Sequence, residues 1–208
     1  PVPEPTFMLE QVWMISQGCS LYYKLTGYEP ALKLAGGLVR AAVEHGECYD
    51  QKGHWRYNHF HGNTRALIGI LEYATTVNDP ALIEFVNSGY EFAKFCGEPL
   101  VGFYPEIVSG IADDRVPGEM TCEICEVADM LVLGVKLTLA GVGEYWEDVD
   151  RWTRNQFVEN QLTPDKLPVL RDSAKLFEEV PVEPWESEDI ERVVGGFAGA
   201  ALTADFGG

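Results

Sequence analysis

"GNTRALIGILEYATTVNDPALIEF" (Gly62–Phe85) reads as two helices and the turn between them. Leu67, Ile70, Leu71 and Ala74 fall at i, i+3, i+4 and i+7, which is one face of a helix. Asp79 and Pro80 then supply an N-cap and a first-turn proline for the next helix. That helix carries Ile83, Val86, Tyr90 and Ala93 on one side, and Gly97 ends it. An acid-Pro-Ala-Leu start also occurs earlier, in "GYEPALKLA" (Gly27–Ala35), with Pro30 and Pro80 50 residues apart.

Outward from this pair the helical period continues. Residues from Phe7 to about Lys24 read as a helix ahead of the one at Pro30. Another runs from near Glu123 to Ala140. "AGVGEYWEDV" opens a further one, with Tyr145, Val149 and Trp152 on one side. A helix pair recurring every ~50–65 residues predicts stacked αα-hairpins. We expect an all-α fold forming part of an (α/α)6 toroid. Residues 1–162 would carry the helices, and 163–208 would continue the same domain as an irregular acidic, Gly-rich segment. A full ring at this period needs roughly 300 residues, more than the 208 here, and the chain lacks an initiator Met, so a fragment is expected.

Hydrophobic residues make up 46% of the chain, enough for a packed core. The net charge of −18 disfavours nucleic acid or an anionic membrane as a partner. Much of the acid sits in "EEVPVEPWESEDIER" (Glu178–Arg192), which reads as a solvated segment. No apolar run approaches the ~20 residues of a membrane span. Five cysteines without a framework spacing and an opening "PVPEPTFMLEQVW" without a basic region point to a reducing, cytoplasmic setting.

Three segments could carry chemistry. "HWRYNHFHGNTRAL" holds His54, His59 and His61 with Arg56 and Arg65. Imidazoles and aromatic rings at the head of a helix suit a sugar site, and they equally suit a polar helix start. "LVGFYPEIVSG" surrounds the single acid Glu106 with Phe103, Tyr104, Pro105 and Ile107. Desolvation there would raise a carboxyl pKa, as a general acid requires. "TCEICEVADML" (Thr121–Leu131) puts Cys122, Glu123, Cys125 and Glu126 at a helix start. A helix N-terminus would favour a Cys125 thiolate, and a lone C-x-x-C is a weak zinc signal. The plain alternative is two small buried residues and a first-turn acid, with Asp129 extending the acidic turns and Arg65 serving as a salt-bridge partner.

In order, "HGNTRA" (His61–Ala66), "FYPEIV" and "EICEVADM" resemble the β-L-arabinofuranosidase family, glycoside hydrolase family 127, and its relatives. The resemblance implies an (α/α)6 barrel, a carbohydrate substrate and zinc. It implies that Glu106 is the acid/base and that Glu123 and Cys125 are two zinc ligands. His61 would contact the sugar, and His59, Arg65 and Tyr104 join it as candidate substrate-binding residues. This chain has one extra residue between His61 and Arg65, and Ile124 stands where the family has Thr. The family's vicinal Cys-Cys, which supplies the nucleophile, is not among these residues. Two other readings stay open. One is a metal-independent toroidal glycosidase, similar to enzymes acting on β-glucuronides, using carboxylates such as Glu119, Glu126 and Asp129. The other is a non-catalytic carbohydrate-binding remnant.

Overall fold

The computed structural model describes residues 12–45, 48–108, 121–168, 192, 194–197 and 200–202. Six α-helices account for most of them, so the chain is all-α as the hydrophobic period predicts. Helix α1 (Gln17–Thr26) follows a π-helical turn at Val12–Ser16, and α2 (Glu29–Arg40) leads into another at Ala41–His45. Helices α3 (Phe60–Val77) and α4 (Pro80–Cys96) form the second hairpin. Helices α5 (Ile124–Leu139) and α6 (Trp146–Trp152) form the third, and a π-helical turn at Thr153–Phe157 extends α6. The residues expected to start the first helix, Phe7 onward to 11, lie outside the described residues. So do Glu119 and the acidic run from Glu178, apart from Arg192.

Local chemistry sets the hairpin turns. Gly27 closes α1 in the left-handed region at φ 70°, donating its N–H to Tyr23 O. Asn78 does the same for α3 at φ 54°. Asp79 then caps α4, its Oδ1 accepting from the N–H groups of Ala81 (3.0 Å) and Leu82 (3.1 Å). The two acid-Pro starts differ in one respect. Asp79 is the cap of α4, whereas Glu29 lies inside the first turn of α2 and Tyr28 holds the cap position without a side-chain bond.

Helix α3 packs against α4, its hairpin partner, and against α1 and α5 on either side. Its apolar residues Ala66, Leu67, Ile68, Ile70, Leu71 and Ala74 are all buried, as befits a helix covered all round. The order of contacts gives the helix directions. Trp13, just ahead of α1, meets His61 at the start of α3, and Lys24 near the end of α1 meets Glu72 farther along α3. His61 also meets Asp129 early in α5, while Glu72 meets Lys136 late in α5. Helices α1, α3 and α5 therefore run parallel with their N-termini at one end.

An aromatic cluster of Tyr90, Tyr104, Tyr145 and Trp152 fills the space between the second and third hairpins. Two three-residue strands, β1 (Thr121–Glu123) and β2 (Ala200–Leu202), pair antiparallel with Cys122 opposite Ala201. The segment after Leu162 thereby returns to the start of α5. No helix among the described residues is long and apolar enough to cross a membrane.

Candidate functional site

The site lies at the shared N-terminal end of α3 and α5. His59 caps α3, with extended backbone, and pairs with Ile107 in an isolated antiparallel bridge. Phe60 N–H donates to Glu106 O at 2.9 Å, and Val108 N–H donates to Asn58 O at 2.8 Å. These backbone bonds fix the Glu106 loop against the entry to α3. Glu123 caps α5 in a reciprocal capping box with Glu126. The ligating atoms of His59, Glu106 and Glu123 thereby come within 4.8 Å of one another, and all three residues are half-buried.

Cys125 extends this group, its Sγ lying 3.3 Å from Glu123 Oε2. Burial pushes its thiol pKa up, and the Glu123 carboxylate adds to the rise. In the metal-free protein Cys125 is therefore a neutral thiol, contrary to the thiolate expected at a helix N-terminus. Desolvation and a carboxylate at contact distance outweigh a helix dipole worth a few tenths to ~1 kcal/mol. Glu126 beneath it is fully buried, and its Oε1 has no hydrogen-bond partner among the described residues. Burial, then repulsion from Glu123 and Glu106, pushes the Glu126 carboxyl up to about 10. It is a neutral acid at pH 7.

A second network flanks the first. Asp129 is buried, and its Oδ2 sits 2.8 Å from His61 Nδ1 and accepts from Thr64 Oγ1 at 2.9 Å. Its Oδ1 pairs with Arg65 Nη1 at 3.3 Å. Burial raises the Asp129 pKa above its ordinary value, although His61, Arg65 and Thr64 each oppose that rise. Arg65 lies over the Trp13 ring at 4.2 Å, and Trp13 meets His61 edge to face at 5.9 Å. His61 and His59 are themselves edge to face at 6.2 Å.

Comparison with protein-family models, with curated proteins and with solved structures finds no match for this chain. The site is accordingly read from its own geometry.

Glu106, Glu123 and His59 come together, with Cys125 against Glu123, and His61 and Arg65 form the adjoining network. Tyr104 does not join them. It has no exposed surface, and its ring packs on Phe60 and Trp152 at 5.0 and 5.4 Å. An aromatic residue beside an acid suggests sugar stacking, but here it is a core residue beneath the loop. Cys122, which stands where the resembled family has Gly and is not among the implied ligands, is also buried. Sequence reasoning gave His59 only a sugar-binding role, because only the bridge to Ile107 puts its ring beside Glu106. It passed over Trp13 altogether, since nothing in the sequence around "VWM" signals an arginine partner.

One imidazole, two carboxylates and a thiol make a donor set that zinc accepts. The cavity of about 420 Å³ lined by Lys24, Glu72 and Lys136 shares no residue with this cluster. Its two lysines both bind Glu72.

Proposed function

We propose that this chain carries the acid/base and metal-binding half of a retaining glycoside hydrolase. One observation supports this reading above others. Glu106 and Glu123, which the arabinofuranosidase-like pattern assigns to catalysis and zinc, lie with His59 at one end of parallel helices, and Cys125, its second zinc ligand, contacts Glu123. The parallel run of α1, α3 and α5, each backed by a hairpin partner, supports the further proposal that these hairpins are an arc of an (α/α)6 toroid.

In this reading a glycoside sits over His59 and His61. With Nδ1 held by Asp129, His61 has Nε2 left to bond a sugar hydroxyl. Glu106 protonates the leaving glycosidic oxygen as the anomeric C–O bond breaks, and then removes a proton from the attacking water. Zinc bound here would hold a thiolate deprotonated. The nucleophile of the scheme is one of a vicinal cysteine pair, and none of the five cysteines here is adjacent to another.

A second reading is favoured by the spacing of Glu106 and Glu123. Their carboxylate oxygens lie within 4.8 Å of each other, the close spacing of an acid/base and nucleophile pair (about 5–5.5 Å) rather than the wider one of inverting enzymes. A screen of aryl furanosides and pyranosides with protein from the natural gene tests both readings. Hydrolysis abolished by Glu106→Gln and by a chelator supports the first. Hydrolysis that resists the chelator supports the second. Sugar binding with no turnover of any glycoside overturns both and leaves a carbohydrate-binding role.

A further inference from the structure

We infer that the cavity at the C-terminal ends of α1, α3 and α5 binds a small carboxylate with a short apolar body, its head group held by Lys24 and Lys136. This site is independent of the glycosidase reading. It shares no residue with the His59, Glu106 and Glu123 group and lies at the opposite end of the same helices.

The cavity has a volume of about 420 Å³, inside the roughly 300–1,000 Å³ of small-molecule sites. The charged groups on its wall are Lys24, Glu72 and Lys136. The Glu72 side chain is only 4% exposed and accepts one bond at each oxygen, from Lys24 at Oε1 (2.6 Å) and from Lys136 at Oε2 (2.5 Å). One buried carboxylate thereby holds two ammonium groups, from α1 and α5, in place before a ligand arrives. Burial opposes the charge on Glu72, but the two lysine bonds keep it ionised. Two positive charges against one negative leave one positive charge over, in a chain whose net charge is −18. An ammonium has three N–H donors, and among the described residues Glu72 takes one from each lysine. The lysine side chains are 41% and 31% exposed, so the remaining donors are within reach of a solute.

Charge and shape select the ligand. A single carboxylate balances the one excess positive charge, whereas a phosphate dianion would bring surplus negative charge up to Glu72. Leu71, Ile83 and Leu139 supply an apolar wall. Leu139, the last residue of α5, is 74% exposed, and a hydrocarbon body lying against it would remove that surface from water. Asn78, the left-handed cap of α3, adds an amide to the wall. The helix C-termini at this end carry partial negative charge, which opposes an anion. That effect is weaker than two charge-assisted hydrogen bonds, and the lysines already offset it.

The test is a titration of the 208-residue chain with sodium hexanoate at constant ionic strength, followed by calorimetry and by backbone amide shifts. Wild type is expected to bind one hexanoate, with shifts at Thr75, Asn78 and Ala140. Acetate, which lacks the body, and hexanol, which lacks the charge, are expected to bind more weakly. Lys24→Met and Lys136→Met are each expected to weaken hexanoate binding by at least about tenfold. Either change also removes a partner of Glu72, so circular dichroism checks the fold. Leu139→Glu is a second probe that places a negative charge on the wall and leaves the Glu72 bonds intact, and it should weaken binding as well. Arg154→Gln, beyond α6 and away from the cavity, should leave affinity unchanged. No saturable hexanoate binding by folded wild type overturns the inference, as does affinity unchanged in the folded lysine variants and in Leu139→Glu. Tighter binding of hexylamine or of inorganic phosphate than of hexanoate overturns the carboxylate assignment and the inference with it.

Discussion

His61 Nδ1 lies 2.8 Å from Asp129 Oδ2, joining the first turn of α3 to the second turn of α5. The acceptor is a buried carboxylate, so Nδ1 carries the proton and Nε2 is left for a ligand. Asp129→Asn is expected to disturb this tautomer, seen as altered ¹⁵N shifts of the two ring nitrogens of His61. The same change weakens the Arg65 pair and should cost about 1–3 kcal/mol in denaturant unfolding. A tautomer ratio identical to wild type would show that Asp129 does not orient the ring.

Glu126 gives a stability effect with a defined sign. Its pKa rises from 4.5 to about 10 on folding in the metal-free protein. Between those values the folded state holds the extra proton, so stability falls as pH increases. At pH 7 the cost is on the order of 3 kcal/mol relative to pH 4. Glu126→Gln should flatten this decline, making the variant relatively more stable at pH 8 than at pH 5. Parallel stability–pH curves for variant and wild type would contradict the assignment.

Glu72 works in the opposite direction. Burial opposes its charge, but hydrogen bonds from Lys136 (2.5 Å) and Lys24 (2.6 Å) outweigh burial and hold its pKa below 4.5. Its contribution is present above about pH 4.5 and is lost as pH falls through the lowered folded value. Glu72→Gln should destabilise the protein by about 1–2 kcal/mol at pH 7, with the difference shrinking in acid. Equal denaturation midpoints at pH 7 would show that this clamp of α1, α3 and α5 adds nothing.

Asp79 accepts two backbone N–H groups at the head of α4. Asp79→Ala should cost about 1 kcal/mol, and Asp79→Ser only a fraction of that, by thermal unfolding. Glu29→Ala at the matching position of α2 should cost less than Asp79→Ala, because no cap bond from Glu29 is made there. Equal losses at the two positions would contradict the difference in capping.

The hairpins were legible because their signals are local. Leu67, Ile70, Leu71 and Ala74 repeat at the helical period and are all buried, and Asp79-Pro80 caps the helix it precedes. The contacts that build the site are not local. His59 reaches Glu106 through an isolated bridge to Ile107, and β1 pairs with a strand far along the chain. Neither segment has a period of its own. The order of Glu106, Glu123 and Cys125 could be read from the sequence, but their mutual distances and the ligand-like position of His59 could not. Tyr104 shows the same limit from the other side. An aromatic side chain serves a core as well as a sugar, and only its complete burial separates the two. The Asp129–Arg65 pair was available as a charge match, but its third member, Trp13, enters only because the turn before α1 lies against α3.

X-ray absorption at the zinc edge, on protein loaded with one equivalent and desalted, tests the account most directly. We predict sulfur at about 2.3 Å beside nitrogen or oxygen donors at about 2.0–2.2 Å, with the Cys125 sulfur lost in Cys125→Ser. Zinc that washes away, or that stays with an all-oxygen, water-like shell, would contradict a metal-centred site at the heads of α3 and α5.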